Sequence, residues 1–197
     1  AMYRVLIIKH GALGDVIQSM GACQDIRLHH PDAELVVLTT PPYRSIFSRC
    51  PYVDRVLTEK RPKPWQMGQW WQLIRRLRGE SFDRVYDLQN TARTALYRRR
   101  ILTDANWVTT IDKVSEESVL TAWQRAMMSA GLATPNILEP KVKWLADDIQ
   151  WLVDSVGLKD DYIVMIPGSS ASHPEKRWPY YEELAIALIE RTKYHVV

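Results

Sequence analysis

Tyr3-Arg-Val-Leu-Ile-Ile-Lys-His-Gly-Ala-Leu-Gly-Asp15 opens the chain, and Val16, Ile17, Met20, Cys23 and Ile26 follow it at helical spacing. The first six residues read as a buried strand, a short run that is apolar almost throughout. Pro31 and Asp32 end the helix that follows, and Glu34-Leu-Val-Val-Leu-Thr39 reads as a second strand. Strand, helix and strand in that order form a βαβ unit, whose crossover makes the two strands parallel. The expected class is therefore α/β, with a parallel sheet carrying helices on both faces.

Two familiar ligand signatures are excluded at this turn. Gly11 and Gly14 do not complete G-x-G-x-x-G, and Leu38-Thr39-Thr40 offers no acid for a ribose, so a dinucleotide fingerprint is absent. No Gly-Lys-Ser/Thr occurs anywhere, which excludes a P-loop. Asp15 then stands at the start of a helix and the carboxyl end of the first strand, where open α/β sheets bind ligands. A carboxylate there is either the helix N-cap, the commoner use of Asp at that position, or a general base facing the cleft. The two roles conflict, because a capping carboxylate is hydrogen-bonded and a weak base.

Further strands are expected at Val53 to Leu57, Phe82 to Leu88 and Trp107 to Ile111. Trp70, Leu73, Ile74 and Leu77 mark one face of a helix, with Arg75, Arg76 and Arg78 outside it. A basic and aromatic loop precedes that helix, with Lys60, Arg61, Lys63 and Trp65. After the strand ending in Asp87, the turn carrying Gln89 and Arg93 again puts polar groups at a strand's carboxyl end. Arg98 to Arg100 extend the basic surface and read as a solvated face. Val119, Leu120, Trp123 and Met127 form a helical stripe, and Ile149, Leu152, Val153 and Val156 another, stopped by Gly157. Leu158 to Asp161 read as a hinge. The expected organisation is one domain over residues 1–157 and the opening βα unit of a second over 162–197.

That second unit is Tyr162 to Ile166, then Pro167-Gly-Ser-Ser-Ala-Ser-His-Pro-Glu-Lys-Arg-Trp-Pro179, then a helix from Tyr181 to Lys193. A strand, a glycine-bearing loop and a helix make an anion cradle. Gly168 is expected to turn the backbone where a side chain would clash, and Ser169, Ser170 and Ser172 offer hydroxyls. Pro179 suits a first helical turn, the helix N-terminus favours an anion, and Lys176 and Arg177 add charge. The alternative is an ordinary βα turn with solvated charges.

The 197 residues carry a net charge of +3, too mild to imply a nucleic-acid partner. No apolar run is long enough to span a membrane, and Tyr3 to Ile8 is too short for a signal peptide. Cys23 and Cys50 have neither metal-ligand nor disulfide-framework spacing, which fits a reducing cytosol.

Val5 to Ile17, Tyr86-Asp-Leu-Gln89, and Pro167-Gly-Ser-Ser170 with Lys176-Arg-Trp-Pro179 together resemble glycosyltransferase family 9, the lipopolysaccharide heptosyltransferases, in order and in spacing. The resemblance implies a GT-B architecture of two Rossmann-like domains, here with the second only begun. It implies a metal-independent, inverting transfer of heptose from ADP-heptose to the inner core of lipopolysaccharide, without a cofactor. By the same resemblance Asp15 is the base that deprotonates the acceptor hydroxyl. Ser169, Ser170 and Lys176 contact the donor diphosphate, and Arg93, Gln89 and Gly14 lie on the acceptor side. The basic loop suits a lipid A/Kdo-type acceptor and peripheral contact with the cytoplasmic face of the inner membrane. Members of the family continue further, through a late Asp-Ser/Thr-Gly-x-x-His segment, so the chain ending at Val197 is expected to show no transfer by itself, to bind ADP weakly at best, and to self-associate or be protease-sensitive beyond about Gly157. The competing reading is a non-catalytic binding module for an anionic glycan or nucleotide.

Overall fold

The computed structural model describes residues 2–110, 116–158 and 161–197. Five parallel strands form one sheet in the order β3-β2-β1-β4-β5, with β1 at Arg4–Ile8, β2 at Glu34–Thr39, β3 at Arg55–Thr58, β4 at Arg84–Asp87 and β5 at Asn106–Thr109. The expected strands are all present, each within a few residues of its expected place. Ile111 and the hinge residues Lys159 and Asp160 lie outside the described residues.

The opening strand decides the layering. Val5 and Ile7 enter one buried cluster and Leu6 and Ile8 another, because successive side chains of a strand point to opposite faces. Helices must therefore cover both sides. On one face lie α1 (Leu13–His29), α2 (Arg44–Ser48) and α5 (Val119–Ser129), contributing Val16, Met20, Ile26, Phe47, Trp123 and Met127. On the other lie α3 (Met67–Glu80) and α4 (Ala92–Arg100), contributing Leu73, Leu77 and Tyr97. Gly21 lets the segment after α5 come close to α1: a Cβ there would stand 2.4 Å from the Asn136 carbonyl oxygen. The fully buried Asp25 holds the same contact, accepting from the Asn136 backbone N–H at 3.2 Å and its amide at 2.8 Å.

The chain divides into two compact units, residues 1–146 and 147–197. The helix α6 (Gln150–Ser155), which the stripe at Ile149 to Val156 places with the first domain, falls in the second unit. There β6 (Tyr162–Ile163) and β7 (His195–Val196) pair in parallel across α7 (Tyr181–Arg191). No residue of α7 is buried, and Leu184 and Ile189 of its apolar stripe are exposed. Two parallel strands offer too little sheet to cover a helix face.

Candidate functional site

The strand order sets where a ligand can enter. From β1 the chain builds outward through β2 and β3, then returns to the other side of β1 to lay down β4 and β5. The loops leaving β1 and β4 therefore diverge, and open α/β sheets bind ligands in the crevice that this reversal leaves at the carboxyl ends of the strands. A pocket of about 230 Å³ lies there, lined by Lys9 and Gly11 after β1, Asp15 of α1, Leu88, Gln89 and Asn90 after β4, and Ala122 and Trp123 of α5, among others.

Asp15 is not the cap of α1. The helix begins at Leu13 with Ala12 as N-cap, and no side-chain cap hydrogen bond is made. The carboxylate stands within the first turn, half-exposed at the pocket. The spacing reading that favoured a cap is corrected here, because the helix starts earlier than the carboxylate. Gly11 explains part of that start: a Cβ on it would lie 2.6 Å from the Tyr43 ring, so the chain passes Tyr43 before it enters the helix.

The pocket holds a cation that sequence reasoning missed. Lys9 is 4% exposed, and its ammonium lies 5.5 Å from the centre of the Trp123 ring. Burial holds it below the ordinary lysine range, against the opposing pull of Asp15 and Asp87. Asp87 is buried too, and loss of water pushes its carboxyl above the usual range. The backbone N–H of Asn90, the Thr94 side chain, the backbone N–H of Gln89 and the charge of His10 work against that push. Asp87 Oδ1 accepts from the Gln89 and Asn90 N–H groups at 3.1 and 2.8 Å, and Asn90 takes the left-handed conformation that asparagine tolerates.

Of the acceptor-side residues expected from sequence, the structure brings one into the pocket. Gln89 lines it, with Oε1 accepting from the His10 backbone N–H at 2.9 Å, so its amide NH₂ is what it offers a ligand. Gly14 is exposed in the first turn of α1, with open space around a Cβ position. Arg93 does not line the pocket. It donates to the Pro62 carbonyl at 2.9 Å and lies 5.0 Å from the Trp70 ring centre.

Beside the pocket sits a buried polar triangle. His10 Nε2 meets Glu59 Oε1 at 2.6 Å, and the Tyr97 hydroxyl reaches both Glu59 oxygens at 2.7 Å. Burial and the Glu59 charge push the Tyr97 phenol far above its ordinary value, so it stays a donor. The sequence signal was available, since His10 and Glu59 each follow closely on a strand end. Their pairing was not available, because it depends on β1 and β3 flanking β2.

In the second unit the expected donor residues share one exposed loop. Ser169 Oγ donates to the His173 carbonyl at 2.9 Å and accepts from Arg177 Nε at 3.2 Å. Ser170 and Ser172 hydroxyls meet at 2.7 Å, and Lys176 ends a 3₁₀ turn at Pro174–Lys176. Three expectations need correction. A Cβ on Gly168 would meet nothing within 4 Å, and its φ is not positive. Pro179 precedes the N-cap Tyr180 and so lies outside α7. The first turn of α7 already carries Glu182 and Glu183, which answer the helix dipole themselves. Cationic attraction in this loop therefore comes from Lys176 and Arg177.

Among the described residues no group of His, Cys, Asp or Glu converges as metal ligands would, and no helix is long and apolar enough to cross a membrane. The model of glycosyltransferase family 9 (heptosyltransferase) matches residues 70–197. Lipopolysaccharide heptosyltransferase 2 of Escherichia coli K12 is 25% identical over 225 aligned residues, covering 98% of this chain and 62% of its own length. The solved E. coli ADP-heptose lps heptosyltransferase II superposes with a TM-score of 0.68 at 23% identity, over 98% of this chain and 63% of that one. A family 9 glycosyl transferase from Veillonella parvula superposes at 0.72 with 19% identity, over 98% and 62%. The chain thus spans about three fifths of the length of the relatives it matches.

Proposed function

The chain belongs to glycosyltransferase family 9, and from that premise we propose that it serves a metal-independent, inverting transfer of heptose from ADP-heptose to the inner core of lipopolysaccharide. The observation that carries the reading is a carboxylate relieved of capping duty, Asp15, at the switch-point crevice of a doubly wound sheet. In this reading Asp15 takes the proton of the acceptor hydroxyl as the oxygen attacks the anomeric carbon. The bond from that carbon to the diphosphate oxygen breaks on the opposite face, and ADP leaves with the electron pair. Lys176, with the hydroxyls of Ser169 and Ser170, stabilises the departing charge.

Lys9 supplies fixed positive charge at the floor of the acceptor pocket, and the Gln89 amide offers a donor beside it. Arg93 acts on the acceptor side indirectly, by holding the loop at Pro62. Gly14 leaves the approach to Asp15 open. The acceptor in this reading is a lipid A/Kdo-type molecule, and the protein works in the cytoplasm against the cytoplasmic face of the inner membrane. The experiment is mass analysis of the product, with NMR of its anomeric centre, after incubation with ADP-heptose and a Kdo-bearing acceptor. A product heavier by one heptose, with inverted anomeric configuration, is expected. Nucleotide binding without any transfer would sink the reading and leave a binding module.

A further inference from the structure

Residues 60–79 hold six lysines and arginines and no acid, and the same stretch presents large apolar side chains to solvent. Trp65 and Met67 are 71% exposed and Trp71 is 61% exposed. The exposure does not come from a loose backbone. The Pro62 carbonyl accepts from Arg93 at 2.9 Å, the Lys63 carbonyl accepts from the Trp70 indole N–H at 3.0 Å, and the Lys63 N–H donates to Gln66 Oε1 at 2.7 Å. Trp70 turns inward against Tyr97, while Trp65 and Trp71 on either side of it are left outside.

On α3, Met67, Trp71, Arg75 and Arg78 recur at intervals of four, four and three, which places them in one stripe. Leu73 and Leu77 of the same helix face the core. Cations ride on the exposed rings: the Lys63 ammonium lies 5.2 Å from the Trp65 ring centre, and the Arg75 guanidinium 5.3 Å from that of Trp71. Arg78 donates to the Arg100 carbonyl at 2.8 Å, so the basic end of α4 continues the surface.

We propose that this face, Trp65, Met67 and Trp71 with Lys63 and Arg75, docks the protein on an anionic lipid bilayer. Indole rings with an apolar body and a polar N–H favour the membrane–water interface, and basic side chains near an anionic leaflet add attraction. An amphipathic helix of this composition lies in the interface plane. A second copy of the chain would set like charge against like. A free anionic sugar would use the cations and leave Met67 and the indoles wet. The proposal deepens the reading of a lipid-borne acceptor and depends on it only for the purpose of docking.

The test is sedimentation of the full-length protein with phosphatidylcholine vesicles, with and without phosphatidylglycerol, and free of any glycolipid. Binding only to the anionic vesicles, weakening with salt, is expected. The Trp65→Ser/Trp71→Ser double variant should lose on the order of tenfold in affinity. Arg75→Gln should lose about fivefold, the equivalent of roughly 1 kcal/mol per basic residue at such a surface. All three residues are exposed, so urea midpoints should match the parent. Vesicle binding as expected without any transfer supports the surface and counts against the transferase reading alone. Equal vesicle affinity of parent and double variant overturns the proposal. So does equally tight binding to duplex DNA that the tryptophan substitutions leave untouched, or a dimer that those substitutions dissolve while vesicles are ignored.

Discussion

Asp15→Asn in the full-length protein separates chemistry from folding, because the structure limits what the substitution does to stability. The N-cap of α1 is Ala12, so no cap is lost. What disappears is a first-turn negative charge, worth about 0.3–1 kcal/mol against the helix dipole, and one of the two carboxylates that offset the burial of Lys9. The expected stability loss is about 1 kcal/mol or less, a fall in Tm of roughly 2–4 °C for a chain of this size. Loss of a general base costs about 10²–10⁴ in turnover. ADP release under saturating donor and acceptor, measured beside a calorimetric melt and an ADP titration, reads all three quantities. Turnover should fall at least about a hundredfold, with ADP affinity unchanged, because Ser169, Ser170 and Lys176 belong to the other unit. A folded variant that turns over within a few-fold of the parent would refute the assignment of the base.

Burial keeps the Lys9 ammonium below its ordinary value of 10.5, so its charge costs stability below the depressed value and ceases to cost it as pH rises past the ordinary one. Lys9→Met should therefore raise the urea midpoint at neutral pH, with the gain shrinking in strong alkali, while transfer falls; a lower neutral midpoint contradicts this. Lys176→Ala should weaken ADP binding by about tenfold to a hundredfold, the 1.5–3 kcal/mol of a charge-assisted contact, with Lys176→Arg recovering part; calorimetry showing no change removes the contact. Gly21→Ala must push aside the Asn136 backbone, 2.4 Å from the new Cβ, and should cost about 1–3 kcal/mol in urea denaturation. Burial, with help from nearby His29, Arg84 and Arg27, lowers His30 to about 4 from 6.5. Its contribution is complete above the higher value and is lost as pH falls through the lower, so His30→Asn should flatten the acid slope of the urea midpoint.

Much of the fold was legible because it is local. The apolar run from Val5 to Ile8, the helical spacing from Val16 to Ile26 and the strand at Glu34–Thr39 each depend on residues a few positions apart. The crossover that joins two such strands then forces them parallel. The same local logic placed Asp15 and Gln89 at strand ends, where ligands bind. It failed where a conclusion rested on the frame of one element. The cap reading of Asp15 needed the helix to begin later than Leu13, and the steric reading of Gly168 needed a neighbour that this chain does not place there.

The site as a cluster was a matter of tertiary structure alone. Lys9 and Gln89 line one pocket because β4 returns to lie beside β1, and His10 meets Glu59 because β2 alone lies between β1 and β3. Periodicity states which faces of an element are apolar but not the order in which strands assemble. Burial of the Lys9 ammonium follows from that order too, since Trp123 of α5 closes over it. Its depressed affinity for a proton is thus a property of the assembled sheet, where burial beside an indole ring has removed water and the charges of Asp15 and Asp87 only partly offset that loss.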